Sequence, residues 1–206
     1  MDRAPPASGR QGGSRKDRKE RRERAPNPLD PAKLNELALA YAARFATSAG
    51  KLRTYLRRKV ALRGWAGEDD APPADIDGVV ARMVGAGYVD DEAFARARGS
   101  GLLRRGYGAR RIDETLRAAG VDEDVRGSAR GSERERREAA LTMARKRGFG
   151  PFSRTAQPGQ RRDPAAREKQ VAAMLRAGHP LASARKLVDA STIEAAENWV
   201  GEDDDE

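Results

Sequence analysis

The stretch 86-AGYVDDEAFARARGSGLLRRGYGARRI-112 decides the fold of this chain, because it contains two helix starts. Asp90 has the residue type of an N-cap, and Asp91 follows in the first turn, where the helix dipole favours negative charge. Val89 and Phe94 have the spacing of a hydrophobic staple, so Phe94 is expected to anchor the helix on its core. A metal site would need further ligands at suitable spacing. We therefore expect the paired aspartates to start a helix rather than to hold a metal.

The second half of this stretch predicts a tight turn between two helices. The first helix should run to about Arg105, and the glycines of Gly106-Tyr107-Gly108 can adopt positive φ without steric cost. Ile112 then begins the inward stripe of the next helix. Tyr107 lies between the glycines, where it can pack into the turn or stack on a partner.

Helical periodicity extends over nearly every segment that can fold, and strand signals are absent. Ile76, Val79, Val80, Met83 and Val84 follow the i, i+3, i+4, i+7, i+8 pattern of an amphipathic helix. Other predicted inward stripes are Leu34, Leu37, Ala38, Tyr41 and Phe45, then Leu52, Tyr55, Leu56 and Val60, and later Leu181, Ala184, Leu187 and Val188. Trp65 is expected to fill the first core between two helices.

An internal repeat follows from three similar helix ends, RRKVALRG, LRAAG and MLRAG. Units of about 50 residues with three short helices each are typical of stacked arrays. The predicted fold class is all-α, with three tandem three-helix repeats forming an elongated, curved array. Its predicted parts are a disordered basic arm over 1–30, repeats over 31–87, 88–130 and 131–190, a long loop at 148–162, and a C-terminal segment with an acidic tail over 191–206.

Composition narrows the classes of function. The 206 residues contain 41 Lys and Arg against 32 Asp and Glu, a net charge of +9 that favours polyanionic partners. There is no cysteine and one histidine, so thiolate chemistry, a His/Cys metal site and a Ser-His-Asp triad are not expected. His179 is interpreted as an N-cap or a partly buried filler. No apolar stretch is long enough for a transmembrane helix. The basic N-terminus is not followed by the apolar segment of a secretory signal, and we therefore expect a cytoplasmic protein.

GYVDDEAFA at 87–95, GYGARRI at 106–112 and the L-x-x-x-G spacing at 116–120 resemble the signature of the RecX family of bacterial recombination regulators. Segments 37–59 and 169–189 resemble the first and third repeats of that family, although His179 stands where an aromatic residue is usual. The resemblance implies a non-enzymatic protein without a cofactor, acting in DNA repair, recombination and the SOS response. It would lodge in the groove of the RecA–DNA filament and hinder filament extension, ATP hydrolysis and strand exchange.

Cationic side chains at helix ends and on outer helix faces are the candidate partner contacts. The set comprises Arg53, Arg57, Arg58, Lys59, Arg63, Arg104, Arg105, Tyr107, Arg110, Arg111 and Arg117. The window 51–63 contains no acidic residue, so its cations are expected to be free for RecA carboxylates or DNA phosphates. The alternative is ordinary helix chemistry, since arginines complement the dipole in a last turn and can pair with Asp113 or Glu114.

Two other functions fit less of the sequence. A DNA-binding protein could use three-helix units that imitate helix-turn-helix domains, and its binding to bare DNA would weaken steeply with salt. A hydrolase or nuclease would need clustered carboxylates, whereas the carboxylates here lie mostly at helix starts. The expected partners are therefore RecA and its DNA filament, with weak direct DNA binding, no membrane contact and a monomeric state.

Overall fold

The protein was described with a computed structural model, which covers residues 27–66, 73–153 and 163–202. Ten α-helices and one short 3-10 helix contain most of the described residues. No helix among them is long and apolar enough to cross a membrane. Most of the predicted basic arm, the greater part of loop 148–162 and the acidic end 203–206 lie outside these ranges.

The first three helices are α1 (Pro31–Arg44), α2 (Ala49–Arg63) and α3 (Ile76–Gly85). Each starts at an N-cap whose side chain accepts a backbone N–H, namely Asp30, Ser48 and Asp75. Just before α1, Leu29 is fully buried and forms a parallel bridge with Trp65, through hydrogen bonds from Leu29 N to Gly64 O (2.9 Å) and from Ala66 N to Leu29 O (2.8 Å). The predicted arm over 1–30 therefore includes residues that pack as part of the first unit.

The next three helices are α4 (Asp91–Arg105), α5 (Ala109–Ala118) and α6 (Glu123–Ser128). Asp90 caps α4 by accepting a hydrogen bond of 2.8 Å from Ala93 N. Gly106 ends α4 in the left-handed region at φ 90°, as a helix C-terminus often requires. Gly108 has φ −85°, so the expected positive φ is wrong at this position.

The last group contains α7 (Glu133–Arg147), α8 (Pro164–Arg176), α9 (Leu181–Asp189) and α10 (Ile193–Gly201). Ser132 and Glu135 form a reciprocal capping box at the start of α7. The C-terminal segment carries no predicted helix, yet α10 packs on α7 and buries Trp199 in the core of this unit. The guanidinium of Arg137 lies 5.4 Å from the centre of the Trp199 ring and fixes the helix there.

Each group of helices encloses its own apolar core. The first contains Leu34, Leu52, Leu56, Val79, Val80 and Met83. The second contains Leu102, Leu103, Ile112, Leu116 and Val121. The third contains Met143, Val171, Met174, Leu187 and Val188. This division into three cores along an all-helical chain agrees with the predicted fold class.

Adjacent units are joined through the ends of their middle helices. The N-terminus of α2 meets the C-terminus of α5, where Ser48 Oγ donates a 2.6 Å hydrogen bond to Ala119 O. The N-terminus of α5 meets the C-terminus of α8 in the same way, and Gly108 N donates to Ala177 O at 2.9 Å. Helix C-termini offer unpaired carbonyls, and each junction supplies a donor for one of them.

Three expected core positions differ in the structure. Phe45 ends α1 with 48% of its surface exposed, and Val84 of α3 and Leu181 of α9 are also exposed. On each of these helices the buried face includes fewer residues than the apolar pattern of the sequence predicts. Val89 is buried in the first core, whereas Phe94 packs half-buried on the second. Phe94 therefore packs against the core of its own unit from the edge, half-buried.

Candidate cationic interface

The cations of α2 divide between two faces. Arg53 Nε lies 2.6 Å from Asp77 Oδ1 of α3, and Arg57 lies 3.9 Å from the same carboxylate. Hydrogen bonding to Arg53 lowers the pKa of Asp77 below its ordinary value, with a further contribution from Arg57. The expectation that all cations of 51–63 lack acidic partners is therefore wrong, because packing of α3 supplies a carboxylate from outside the window.

Arg58, Lys59 and Arg63 occupy different positions on the same helix. Arg58 is exposed, and within the described residues neither it nor Lys59 has an ion pair. The ammonium of Lys59 lies 5.4 Å from the centre of the Tyr55 ring, a cation–π contact. Arg63 donates to the Asn27 carbonyl at 3.1 Å and so holds the segment that precedes α1.

The Gly106-Tyr107-Gly108 turn presents a second cationic group. Arg104 and Arg105 occupy the last turn of α4, where positive charge complements the helix dipole. Tyr107 is 38% exposed, and the guanidinium of Arg105 lies 6.0 Å from the centre of its ring. Both arginines and one face of the tyrosine thus remain available at the surface of the second unit.

Arg110 and Arg111 begin α5, beside the same turn, and share Glu114 at 3.8 Å and 3.6 Å. Arg110 also donates to the Leu175 carbonyl at 2.7 Å, across the junction with the third unit. Both arginines therefore supply positive charge beside the turn, and Arg110 also holds the second unit against the third.

Arg117 belongs to a structural cluster around Asp113. The carboxylate of Asp113 lies 2.8 Å from Arg117, 3.1 Å from Arg126 and 3.0 Å from Arg130. Hydrogen bonding from Arg130, followed by Arg126, keeps the pKa of Asp113 below its ordinary value although burial opposes this. Arg126 is itself buried, so the cluster ties α5 to α6. Arg117 lies on its exposed rim.

Aromatic residues near Arg58 were not among the predicted contacts. The rings of Tyr41 and Tyr55 stack with centres 4.2 Å apart, and Phe45 lies 5.2 Å from Tyr41. Together they border a groove between the end of α1 and the first turns of α2. The i, i+4 spacing of Tyr41 and Phe45 is also the spacing of a core stripe, and sequence alone does not separate the two.

The carboxylates around the opening motif act on the backbone. Asp90 caps its own helix, and Asp91 Oδ1 accepts a 2.8 Å hydrogen bond from Ala49 N at the start of α2. Asp91 therefore caps a helix of the neighbouring unit. In residues 27–66, 73–153 and 163–202, no group of three His, Asp or Glu side chains is placed to hold a metal ion.

This architecture defines an all-α tandem-repeat protein with exposed cationic helix ends. The profile of the second three-helix domain of RecX matches residues 90–129. The Regulatory protein RecX of Myxococcus xanthus is 33% identical over 171 residues, which span 81% of this chain and 89% of that protein. The Regulatory protein RecX of a Thermus thermophilus strain is 42% identical over 88 residues, 43% of this chain and 56% of its own.

The chain belongs to the RecX family. A solved structure agrees with this at the level of the fold: the crystal structure of RecX from Lactobacillus salivarius superimposes with a TM-score of 0.58 and 15% identity, over 76% of this chain and 93% of that one. The family motif thus coincides with the paired aspartates, the Gly-Tyr-Gly turn and the second unit.

Proposed function

We propose that this protein binds RecA and the RecA filament on DNA, and that it lowers RecA ATP hydrolysis, filament extension and strand exchange. The observation that carries the proposal is the 33% identity to a Regulatory protein RecX over 171 residues, a length that extends across all three units. The protein would act in the cytoplasm, where RecA and its DNA are found, and as a monomer.

Exposed cations on separate units suit a long, repetitive partner. Arg58 and the half-buried Lys59 lie on the first unit, and the exposed Arg104 and Arg105 lie on the second beside Tyr107. Guanidinium groups form bidentate contacts with carboxylates and phosphates, both of which a protein–DNA filament offers. Several weak contacts on one rigid body reinforce each other, since the second contact forms at a high effective concentration.

The junctions between units support this arrangement. Backbone hydrogen bonds and close glycine contacts join α2 to α5 and α5 to α8. Such junctions limit rotation of one unit against the next, because backbone atoms cannot move aside as side chains can. The cationic groups would therefore keep the spacing that a filament groove requires.

We propose that regulation occurs by binding and without catalysis. Asp90 and Asp91 cap two helices, and Asp113 holds three arginines. Carboxylates engaged in this way already accept hydrogen bonds from backbone N–H and guanidinium groups. They are therefore not poised to activate water. The relatives are named regulatory proteins, which agrees with a binding role.

Co-sedimentation with RecA filaments on single-stranded DNA tests the proposal. The protein should pellet with filaments at a salt concentration at which bare single-stranded DNA does not carry it down. Equal pelleting with bare DNA and with filaments would instead support the DNA-binding alternative. Failure to pellet with filaments at low salt would exclude the RecA interaction itself.

A further inference from the structure

An open groove on the first unit combines aromatic and cationic side chains. It lies between the C-terminal end of α1 and the first turns of α2, with Ala118 of α5 at its edge, and has a volume of about 640 Å³. Its lining includes Tyr41, Arg44, Phe45, Lys51, Tyr55 and Arg58. We call this feature the tyrosine groove. Its volume lies within the range of ligand sites, on the order of 300–1,000 Å³.

The groove contains a stacked tyrosine pair and, tilted against it, an exposed phenylalanine ring. Tyr41 and Tyr55 are stacked with an interplanar angle of 19°, and Phe45 continues the cluster at 50° to Tyr41. Phe45 is 48% exposed, whereas Phe94, Phe149 and Phe152 pack partly buried against cores. An exposed phenylalanine beside a fixed tyrosine pair offers a face on which another flat ring can stack.

Positive charge surrounds these rings without internal neutralisation. Arg44, Lys51 and Arg58 line the groove, and Lys59 follows Arg58 in α2. Within the described ranges none of these four cations has an ion pair, and no carboxylate lines the groove. Arg44 lies 5.5 Å from the centre of the Phe45 ring and Lys59 lies 5.4 Å from that of Tyr55. This contrasts with Arg53 and Arg57 of the same helix, which pair with Asp77.

Stacking faces and free cations together identify the ligand. We infer that the tyrosine groove binds an unpaired stretch of nucleic-acid strand, with a base stacked on the exposed Phe45 ring and phosphates held by Arg44, Lys51 and Arg58. Single-strand binding proteins combine the same two elements, because every base has a stacking face and every nucleotide carries a charge. In a duplex the base faces are covered, and an acidic peptide offers charge without flat rings.

The groove lies on the first unit, outside residues 90–129, which match the profile of the second three-helix domain of RecX. Its ligand is recognised by the protein alone, so this inference does not require the interaction with RecA. Binding of a strand here would give the protein a direct contact with the DNA of a filament, in addition to contacts with protein subunits.

Fluorescence anisotropy of a labelled poly(dT) oligonucleotide tests the inference with the full-length protein and no RecA. Phe45→Ala should weaken binding about five- to a hundredfold, the range measured for removal of a base-stacking side chain. Arg44→Gln/Arg58→Gln should weaken binding and lower the log–log salt slope by about 1.4, since a single strand contributes roughly 0.7 per neutralised phosphate. The matched control, Arg96→Gln/Arg134→Gln, removes two exposed arginines of the second and third units.

Three results would overturn the inference. The first is parent affinity for poly(dT) in Phe45→Ala, which is expected to melt like the parent because the ring is exposed. The second is equal loss in the control and groove variants, which would indicate diffuse charge attraction. The third is equal binding of duplex DNA, or competition by poly-glutamate as effective as by unlabelled poly(dT). A failed co-sedimentation with RecA, by contrast, leaves these binding measurements unaffected.

Discussion

Gly108 and Gly178 approach each other so closely that neither has room for a methyl group. A Cβ on Gly108 would overlap the carbonyl of Gly178, and a Cβ on Gly178 would overlap the backbone of Arg111. Gly50 and Gly120 repeat the relationship at the other junction, where a Cβ on Gly50 would lie 2.6 Å from the Gly120 Cα. Two glycine pairs therefore set the contact between successive units.

Replacing Gly108 with alanine should destabilise the protein by about 1–3 kcal/mol, because the added methyl must force the second and third units apart. Gly127→Ala is the matched control, since a Cβ there meets nothing within 4 Å. It should be neutral or stabilise helix α6 by up to about 1 kcal/mol. Urea denaturation of both variants measures this, and equal stability would show that the junction tolerates the methyl group.

Asp90 and Asp91 should each contribute as helix caps, with no role for a metal. Asp90→Ala removes the acceptor for Ala93 N, and Asp91→Ala removes the acceptor for Ala49 N in the neighbouring unit. Each change should cost about 1 kcal/mol in the free energy of unfolding. Adding Mg²⁺ or Mn²⁺ should leave the melting temperature unchanged, and a metal-dependent rise that Asp90→Asn abolishes would contradict the capping role.

Stability should fall below neutral pH because of His179. The side chain is buried with Nε2 3.0 Å from the Gly106 carbonyl oxygen, and burial lowers the pKa of His179 below its ordinary value. Above a pH of about 6.5 both folded and unfolded states are neutral there. Below it the unfolded state takes up a proton first, so the free energy of unfolding falls by up to about 1.4 kcal/mol per pH unit until the folded pKa is reached.

His179→Gln isolates this effect, because glutamine can donate to the Gly106 carbonyl and does not titrate. His179 is the one histidine in the sequence. The pKa of Asp113 is held below its ordinary value by hydrogen bonding from Arg130, which moves it further from this pH range. Denaturation at about pH 7.5 and about pH 5.5 should therefore show a smaller pH dependence in the variant. The same loss of stability in both proteins would assign the pH dependence to other groups.

Charge reversal tests which cations meet the filament. Arg58→Glu/Lys59→Glu and Arg104→Glu/Arg105→Glu should weaken filament binding, each partly desolvated contact being worth on the order of 1–3 kcal/mol. These positions carry no ion pair in the described residues. The loss of stability should therefore come only from the helix-dipole and cation–π contacts, about 1 kcal/mol or less per site. Lys169→Glu/Arg185→Glu, on the third unit, is the control, because it changes the net charge by the same amount at positions outside the proposed interface. Parent-like filament binding in both test variants would move the interface elsewhere.

Local signals in the sequence predicted local structure well. Ser132, Asp90 and Gly106 act within a few residues of their own position, so the helix boundaries they set can be read without knowledge of the fold. The junctions could not be predicted in this way. Gly108 lies near Gly178 only because two units stack, and Asp77 reaches Arg53 only because α3 packs beside α2.

Two features were missed although the sequence contains a signal for each. Thr192 followed by Ala196, Trp199 and Val200 has the cap and spacing of a helix, which the structure contains as α10. Tyr41, Phe45 and Tyr55 have core spacing, and only the packing of α1 on α2 shows that one ring stays exposed. Burial depends on neighbours distant in sequence, so periodicity alone cannot distinguish a core stripe from a groove.

The central claim, regulation of RecA, is tested most directly by the rate of ATP hydrolysis. RecA of the source organism would be assembled on single-stranded DNA, and the rate followed as the protein is added in increasing amounts. We predict a progressive fall in the rate, with Arg104→Glu/Arg105→Glu requiring more protein for the same effect. A rate that stays at the RecA-only value when the protein is in molar excess over RecA would contradict this account.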